Sequence, residues 1–206
     1  MAFLIDTAIH KAMISPSHFV ASWNKLHDAK EHFCSPLPKV AASRTLPEAT
    51  RKFLVEAGLP DGAAPCLSFR YVRILARLWE VFAPNSLNLK DRQRLQSYLM
   101  IGSDGAGNPI CLDESCHGQV VVLDHEDRFK TVMFVNSTIQ QLSESLLAYR
   151  RLVRDTIAIN EDAYFDRKIP AVIWKTAWNT IQEADPAALA EGCFWFHEFK
   201  SLETAS

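Results

Sequence analysis

Glycine is scarce and cysteine is unpaired in this sequence, and both shortages exclude something. Seven glycines in 206 residues form no repeat and no low-complexity tract. The five cysteines (34, 66, 111, 116 and 193) are odd in number and scattered. A chain of this length can bury a core without a disulfide framework, so a reduced, cytoplasmic setting is the expectation. No apolar run approaches the length of a membrane span. The first residues, "MAFLIDTAIHK", lack a basic lead, and Asp6 interrupts their short apolar run, so they do not read as a signal peptide. The formal net charge of −2 gives no overall pull toward nucleic acid or membrane.

What is present divides by position. Residues 1–100 hold 13 basic and 8 acidic side chains, and residues 101–206 hold 9 and 16. "SPSHFVASWNKLHDAKEHF" predicts a helix starting at Ser15 or Ser17, with Phe19, Trp23, Leu26 and Phe33 inward. "LPEATRKFLVEAGLP" predicts a second. Pro47 and Glu48 suit its first turn, Gly58 and Pro60 stop it, and Phe53, Leu54 and Ala57 form its apolar face. "RYVRILARLWEVF" is compatible with strand or helix. From residue 98, "YLMIG", "PICLDE", "QVVVLDHE" and "KTVMFVN" are short β-rich runs between turn residues, which predicts an antiparallel meander. A long helix follows. Ser137 and Gln140 are placed for a capping box, and Ile139, Leu142, Leu146, Tyr149, Val153 and Ile157 make a buried stripe. Two aromatic helices close the sequence, separated by Asp185-Pro186, an N-cap and first-turn proline. The class is α+β in a single domain, a central, mostly antiparallel sheet flanked by N- and C-terminal helices.

The one glycine-dense stretch, "IGSDGAGNPICLDES" (Ile101–Ser115), decides whether a ligand loop exists. A phosphate-binding Walker loop needs a lysine, and none lies between Ile101 and Glu126. A dinucleotide fingerprint needs Gly-x-Gly-x-x-Gly leading into a helix, but here Asn108-Pro109 leads into a strand. An EF-hand loop from Asp104 would meet Ala106 and Pro109 where it needs an acid or amide and a glycine. An irregular calcium site from Asp104, Asn108 and Asp113 is the weak remainder. The stretch reads as a hairpin connection: Gly105 and Gly107 take positive φ, Asp104 and Asn108 bond back to the backbone, and Pro109 opens the next strand.

Other chemistry fares no better. Cys111, Cys116, His117 and His125 lack the paired spacing of structural zinc. His125 stands between carboxylates in "LDHED", but no recognisable nucleophile accompanies it, and a turn is the plainer reading. Trp174 and Trp178 share a helix face, read as packing in preference to a stacking platform. Between Asp104 and Asp127 there are six acidic residues (Asp104, Asp113, Glu114, Asp124, Glu126 and Asp127) and no Lys or Arg. At strand ends and turns they make either a surface that repels nucleic acid and attracts a basic partner, or a solvated rim.

The runs "LMIGSDGAGNPICLDE", "GQVVVLDHED" and "FVNSTIQQLSESLLAY", with "LPEATRKFLVEAGLP" before them and "DPAALAEGCFWFHEF" after, resemble the SUKH superfamily of bacterial immunity proteins over about residues 46–200. Residues 1–45 are then an N-terminal helical extension packed on a 46–206 domain. The resemblance implies an α+β fold, no catalysis, no cofactor, and direct binding of a cognate toxin, often a nuclease or deaminase, from a polymorphic or contact-dependent system. The six acidic residues are the expected contact surface. A stand-alone adaptor that binds a cellular protein, as a relative in yeast suggests, is the alternative.

Overall fold

The computed structural model describes residues 13–26, 45–69, 76–82 and 87–203. Helix α1 (Pro16–Lys25) begins where the sequence predicts: Ser15 accepts a bond from the His18 N–H at 3.3 Å, and Pro16 occupies a first-turn position that needs no donor. Four residues apart, Phe19 and Trp23 face the same way and both are buried. Phe33 lies outside the described residues. Helix α2 (Glu48–Glu56) buries Phe53 and Leu54 and ends ahead of Gly58, which takes φ +67°. Phe19 of α1 meets Phe53 of α2 with ring centroids 5.6 Å apart, which joins the first helix to the core of the rest.

The predicted meander forms as β4 (Tyr98–Ser103), β5 (Pro109–Asp113), β6 (Gln119–Leu123) and β7 (Val132–Asn136), consecutive and antiparallel. Three short strands widen it: β1 (Gly62–Ala63) pairs with β2 (Leu67–Ser68), and β2 and β3 (Ala76–Arg77) each pair with β4. The ambiguous "RYVRILARLWEVF" contains both answers: β3 runs straight into the short helix α3 (Leu78–Val81), while residues 70–75 lie outside the described residues.

Strand alternation sends neighbouring residues to opposite faces. Ile110, Leu112, Val120 and Val122 join the larger core with α1, α2 and the three C-terminal helices. Cys111, Val121 and Leu123 join a smaller one with Leu78, Leu95 and Phe129, under α3 and the 3-10 turn Leu95–Ser97 that follows α4 (Leu89–Arg94). Every residue of β5 is buried, as a strand covered on both faces must be. Seven helices and a seven-stranded antiparallel sheet among the described residues make this an α+β single domain.

Helix α5 (Ile139–Ile157) spans 19 residues. Its cap differs from the expected one by a residue. Thr138, not Ser137, accepts from the Gln141 N–H at 3.2 Å, because Ser137 bonds elsewhere. The buried stripe runs as predicted through Tyr149, then shifts: Leu152 and Thr156 are buried while Val153 and Ile157 are half-buried, since α6 (Ala171–Ala184) lies along the last turns. Asp185 does not cap with its side chain. It leads into a single tight turn, Pro186–Leu189, before α7 (Phe194–Leu202).

Candidate functional site

Two hairpin turns meet at one end of the sheet. In the β4–β5 turn, Asp104 Oδ1 accepts from the N–H groups of Ala106 and Asn108 at 2.9 and 2.8 Å, and Oδ2 accepts from Asn108 Nδ2 at 3.0 Å. The chain closes with Asp104 N–H donating to the Asn108 carbonyl at 2.9 Å. Gly107 takes φ +89°, as expected. Gly105 does not take positive φ; what it needs is space, because a Cβ there would stand 2.9 Å from Cys66 Cβ. The loop therefore reverses the chain through its own carboxylate and amide.

That loop is bonded to the next hairpin. Asn108 Oδ1 accepts from the His125 N–H at 3.1 Å and lies 2.7 Å from His125 Nδ1. Asn108 Nδ2 is committed to a carboxylate, so the oxygen faces the histidine and Nδ1 carries the proton. His125 is thus oriented by an amide rather than by a carboxylate. The β6–β7 connection folds on its own acids in the same manner. Asp124 Oδ1 accepts from the Glu126 N–H at 2.8 Å, and Asp127 accepts from the N–H groups of Lys130 and Thr131 and from the Thr131 hydroxyl at 2.6 Å. The Thr131 hydroxyl bond is the main reason the Asp127 carboxyl titrates below its ordinary range. Phe129, with φ +61°, inserts into the smaller core against Phe82, ring centroids 5.4 Å apart. Arg94 donates to the carbonyls of Arg128 and Phe129 at 2.8 and 2.5 Å.

The six acidic residues therefore divide between two ends of the meander. Asp104, Asp124, Glu126 and Asp127 share one end, with Arg128 and Lys130 beside them. Asp113 and Glu114 occupy the β5–β6 turn at the other. Asp113 is 7 % exposed and accepts from the Ser115 N–H and hydroxyl at 2.9 and 2.6 Å. Glu114 pairs with Arg77 at 2.9 Å and accepts from the Thr45 hydroxyl. The metal candidates are separated too. Cys111 is buried in the smaller core, where desolvation pushes its thiol far up; Cys116 and His117 sit at the Asp113 end and His125 at the other. Asp104 and Asn108 share a turn from which Asp113 is absent. No cluster of His, Cys, Asp or Glu able to hold a metal occurs among the described residues.

Two features were invisible in the sequence. Asp185, 2 % exposed, accepts from Asn136 Nδ2 at 3.0 Å, from the Ser137 N–H at 2.7 Å and from the Ser137 hydroxyl at 2.9 Å. Asn136 also donates to the Ser145 hydroxyl and accepts from the Trp195 indole N–H at 2.9 Å. This buried knot ties the end of β7 and the starts of α5 and α7 together. Its members bond to one another inside the core. The second is Glu198 on α7. Burial, together with the charge of nearby Asp104, pushes its carboxyl up to about 7. Tyr149, Tyr164 and Cys66 lie in the same neighbourhood, and the two tyrosine hydroxyls are 3.2 Å apart. The only signal for Glu198 was its place on an otherwise aromatic helix.

Two turns that close on their own side chains thus carry four acidic residues to one end of the sheet. A family model described as SUKH-4 immunity protein matches residues 34–201. The chain belongs to the SUKH-4 immunity protein family. The superfamily expected from the strand and turn phrases is therefore the right one, and the match opens at residue 34, ahead of the helix at which the resemblance began. No curated protein and no solved structure matches the chain. An immunity family implies a toxin partner. No helix among the described residues is long and apolar enough to cross a membrane.

Proposed function

We propose that this chain protects the cytoplasm of the cell that makes it by binding a cognate toxin, without catalysis and without a cofactor. Membership of the SUKH-4 immunity protein family carries the reading. The acidic end of the sheet supports it: the carboxylates of Asp104, Asp124 and Asp127 are held by backbone N–H groups, with Glu126 beside them, so most of this charge is presented with little ordering cost on binding. A nuclease or deaminase has a basic cleft for its polyanionic substrate, and a rigid acidic projection complements such a cleft. Asp113 and Glu114, bonded within the chain at the far end, are positioned to hold the β5–β6 turn rather than the partner. The segment 1–45 serves as an extension whose α1 completes the core.

Co-expression with the toxin domain encoded beside this gene tests the reading. The expected result is rescued growth and a co-purifying complex; absence of both sinks it. Within the complex, the triple variant Asp124→Lys, Glu126→Lys, Asp127→Lys is expected to associate about tenfold more slowly at low salt, with a flatter salt dependence, because charge at the rim mainly steers encounter. Association that is unchanged at low ionic strength removes the acidic turns from the interface.

A further inference from the structure

Beside the acidic end, on the outer face of α6 and α7, lies a groove of about 610 Å³. Its floor is aromatic. Trp174 and Trp178 stack with centroids 5.1 Å apart and planes within 12°, and Phe199 meets both edge-on. The Trp174 indole N–H donates weakly to the Phe199 carbonyl at 3.4 Å, while that of Trp178 meets no partner among the described residues. Arg167 and Lys175 line the groove, and neither cationic head meets a partner among the described residues. Glu203, the acid on the lining, is neutralised by Lys200 at 2.9 Å. The groove therefore combines an indole pair with two cationic side chains on a mixed polar and apolar lining.

The chain that leads into α6 also exposes large apolar side chains, outside the groove lining itself. Ile159, Phe165 and Val172 are 65, 77 and 72 % exposed, all within the α5–α6 connection and the first turn of α6. Helix α7 links the neighbourhood of Asp104 to the groove. Glu198 feels the charge of Asp104 on one side and lies by Tyr164 on the other, and Leu202, which lines the groove, is one helical turn beyond Glu198, about 6 Å along the axis. A standard interface buries about 800 Å² on each partner, more than the groove alone offers.

We propose that this groove is the anchoring half of the toxin contact, taking an apolar or aromatic side chain of the toxin that is flanked by a carboxylate. The inference rests on the toxin-binding reading and names the surface that sets the lifetime of the complex. The toxin's apolar group packs against the indole pair, and its carboxylate meets Arg167, Lys175 and the Trp178 N–H. The sign is opposite to that of the acidic turns. A partner must then match a negative and a positive region at a fixed spacing, which rejects toxins carrying only a basic cleft.

The test uses the purified toxin domain encoded beside this gene and the full-length chain. Arg167→Glu with Lys175→Glu changes two exposed side chains and is expected to leave the thermal midpoint within about 2 °C of the parent, since surface substitutions have small effects. It is expected to raise Kd at least tenfold, chiefly through faster dissociation. Trp178→Ala is expected to raise it further, and Lys175 in the parent is expected to become protected from acetylation on complex formation. If the parent chain binds the toxin and rescues growth, yet the double variant keeps its Kd within twofold and Lys175 labels at the same rate in the complex, the groove is not the anchor and the toxin-binding reading stands. If the parent chain neither binds nor rescues, that reading fails and takes the groove with it.

Discussion

The two faces of the sheet are built from alternate residues of the same strands, yet they do different jobs. One face is thick: α1, α2, α5, α6 and α7 lie on it, with Trp195, Tyr149, Phe199 and Leu146 among its fully buried side chains. It also holds the Asp185–Asn136 knot, whose donors and acceptors are satisfied within the layer. The other face is thin, closed by α3, the 3-10 turn at Leu95 and a side chain borrowed from a turn, Phe129. That turn is the one that carries Asp124, Glu126 and Asp127. The contrast teaches where stability and presentation reside. The thick face supplies most of the apolar burial, which scales with area removed from water. The thin face fixes the position of an acidic loop by tucking that loop's own phenylalanine beneath the strands.

Truncations to alanine on the two faces sharpen the contrast. Trp195→Ala is expected to cost about 4 kcal/mol, from lost burial and from the orphaned Asn136 oxygen, read by chemical denaturation. Asp185→Ala is expected to cost about 3 kcal/mol, because it leaves the buried Asn136 amide and the Ser137 N–H without their acceptor. Phe129→Ala on the thin face is expected to cost about 2 kcal/mol, since a shallow layer relaxes into the gap, and to speed hydrogen exchange locally in residues 124–131. If Phe129→Ala costs as much as Trp195→Ala, or if its exchange effect spreads through α5, the division of labour between the faces is wrong.

A pH series probes the seam where the thick face reaches the acidic end. The folded Glu198 carboxyl titrates at about 7 against an ordinary 4.5, so the folded state holds its proton more tightly than the unfolded chain does. Its contribution to stability is complete below the ordinary value and is lost as pH rises through about 7. Replacing it by Glu198→Gln is expected to flatten the stability profile over that window and to leave the variant the more stable protein above it. A profile identical to the parent's refutes the burial of this carboxyl beside Asp104. The smallest effect is expected at the rim. The triple lysine variant of Asp124, Glu126 and Asp127 loses the backbone bonds of two carboxylates but little burial, so its denaturation midpoint is expected to fall less than that of Phe129→Ala, while its association slows about tenfold.

Much of this architecture was legible because its signals are local. Each strand of the meander is a short β-branched run between turn residues, and each needs only its neighbour to pair. Ser15-Pro16 announced α1, and Asp104 with Asn108 announced a turn closed by its own side chains. Where reading failed, the deciding partner was distant. Ser137 and Thr138 both carry a cap-competent hydroxyl, and the choice falls to Thr138 because Asp185, 48 residues on, claims Ser137. Asp185 itself looked like a cap because Asp-Pro is a local phrase, whereas its buried role is written in Asn136 and Ser137. Gly105 looked like a φ residue, but the reason for it is Cys66 from another hairpin.

Hydrophobic periodicity, turn residues and capping hydroxyls determined the elements, the α+β class and the absence of a phosphate or dinucleotide loop, because each depends on atoms a few residues apart. Only the tertiary structure decided that four acidic residues share one end while two are bonded at the other, and that an indole pair and two cations line one groove by α6 and α7. Those facts depend on how antiparallel strands reverse and where helices dock, which is set by packing between residues far apart in the chain.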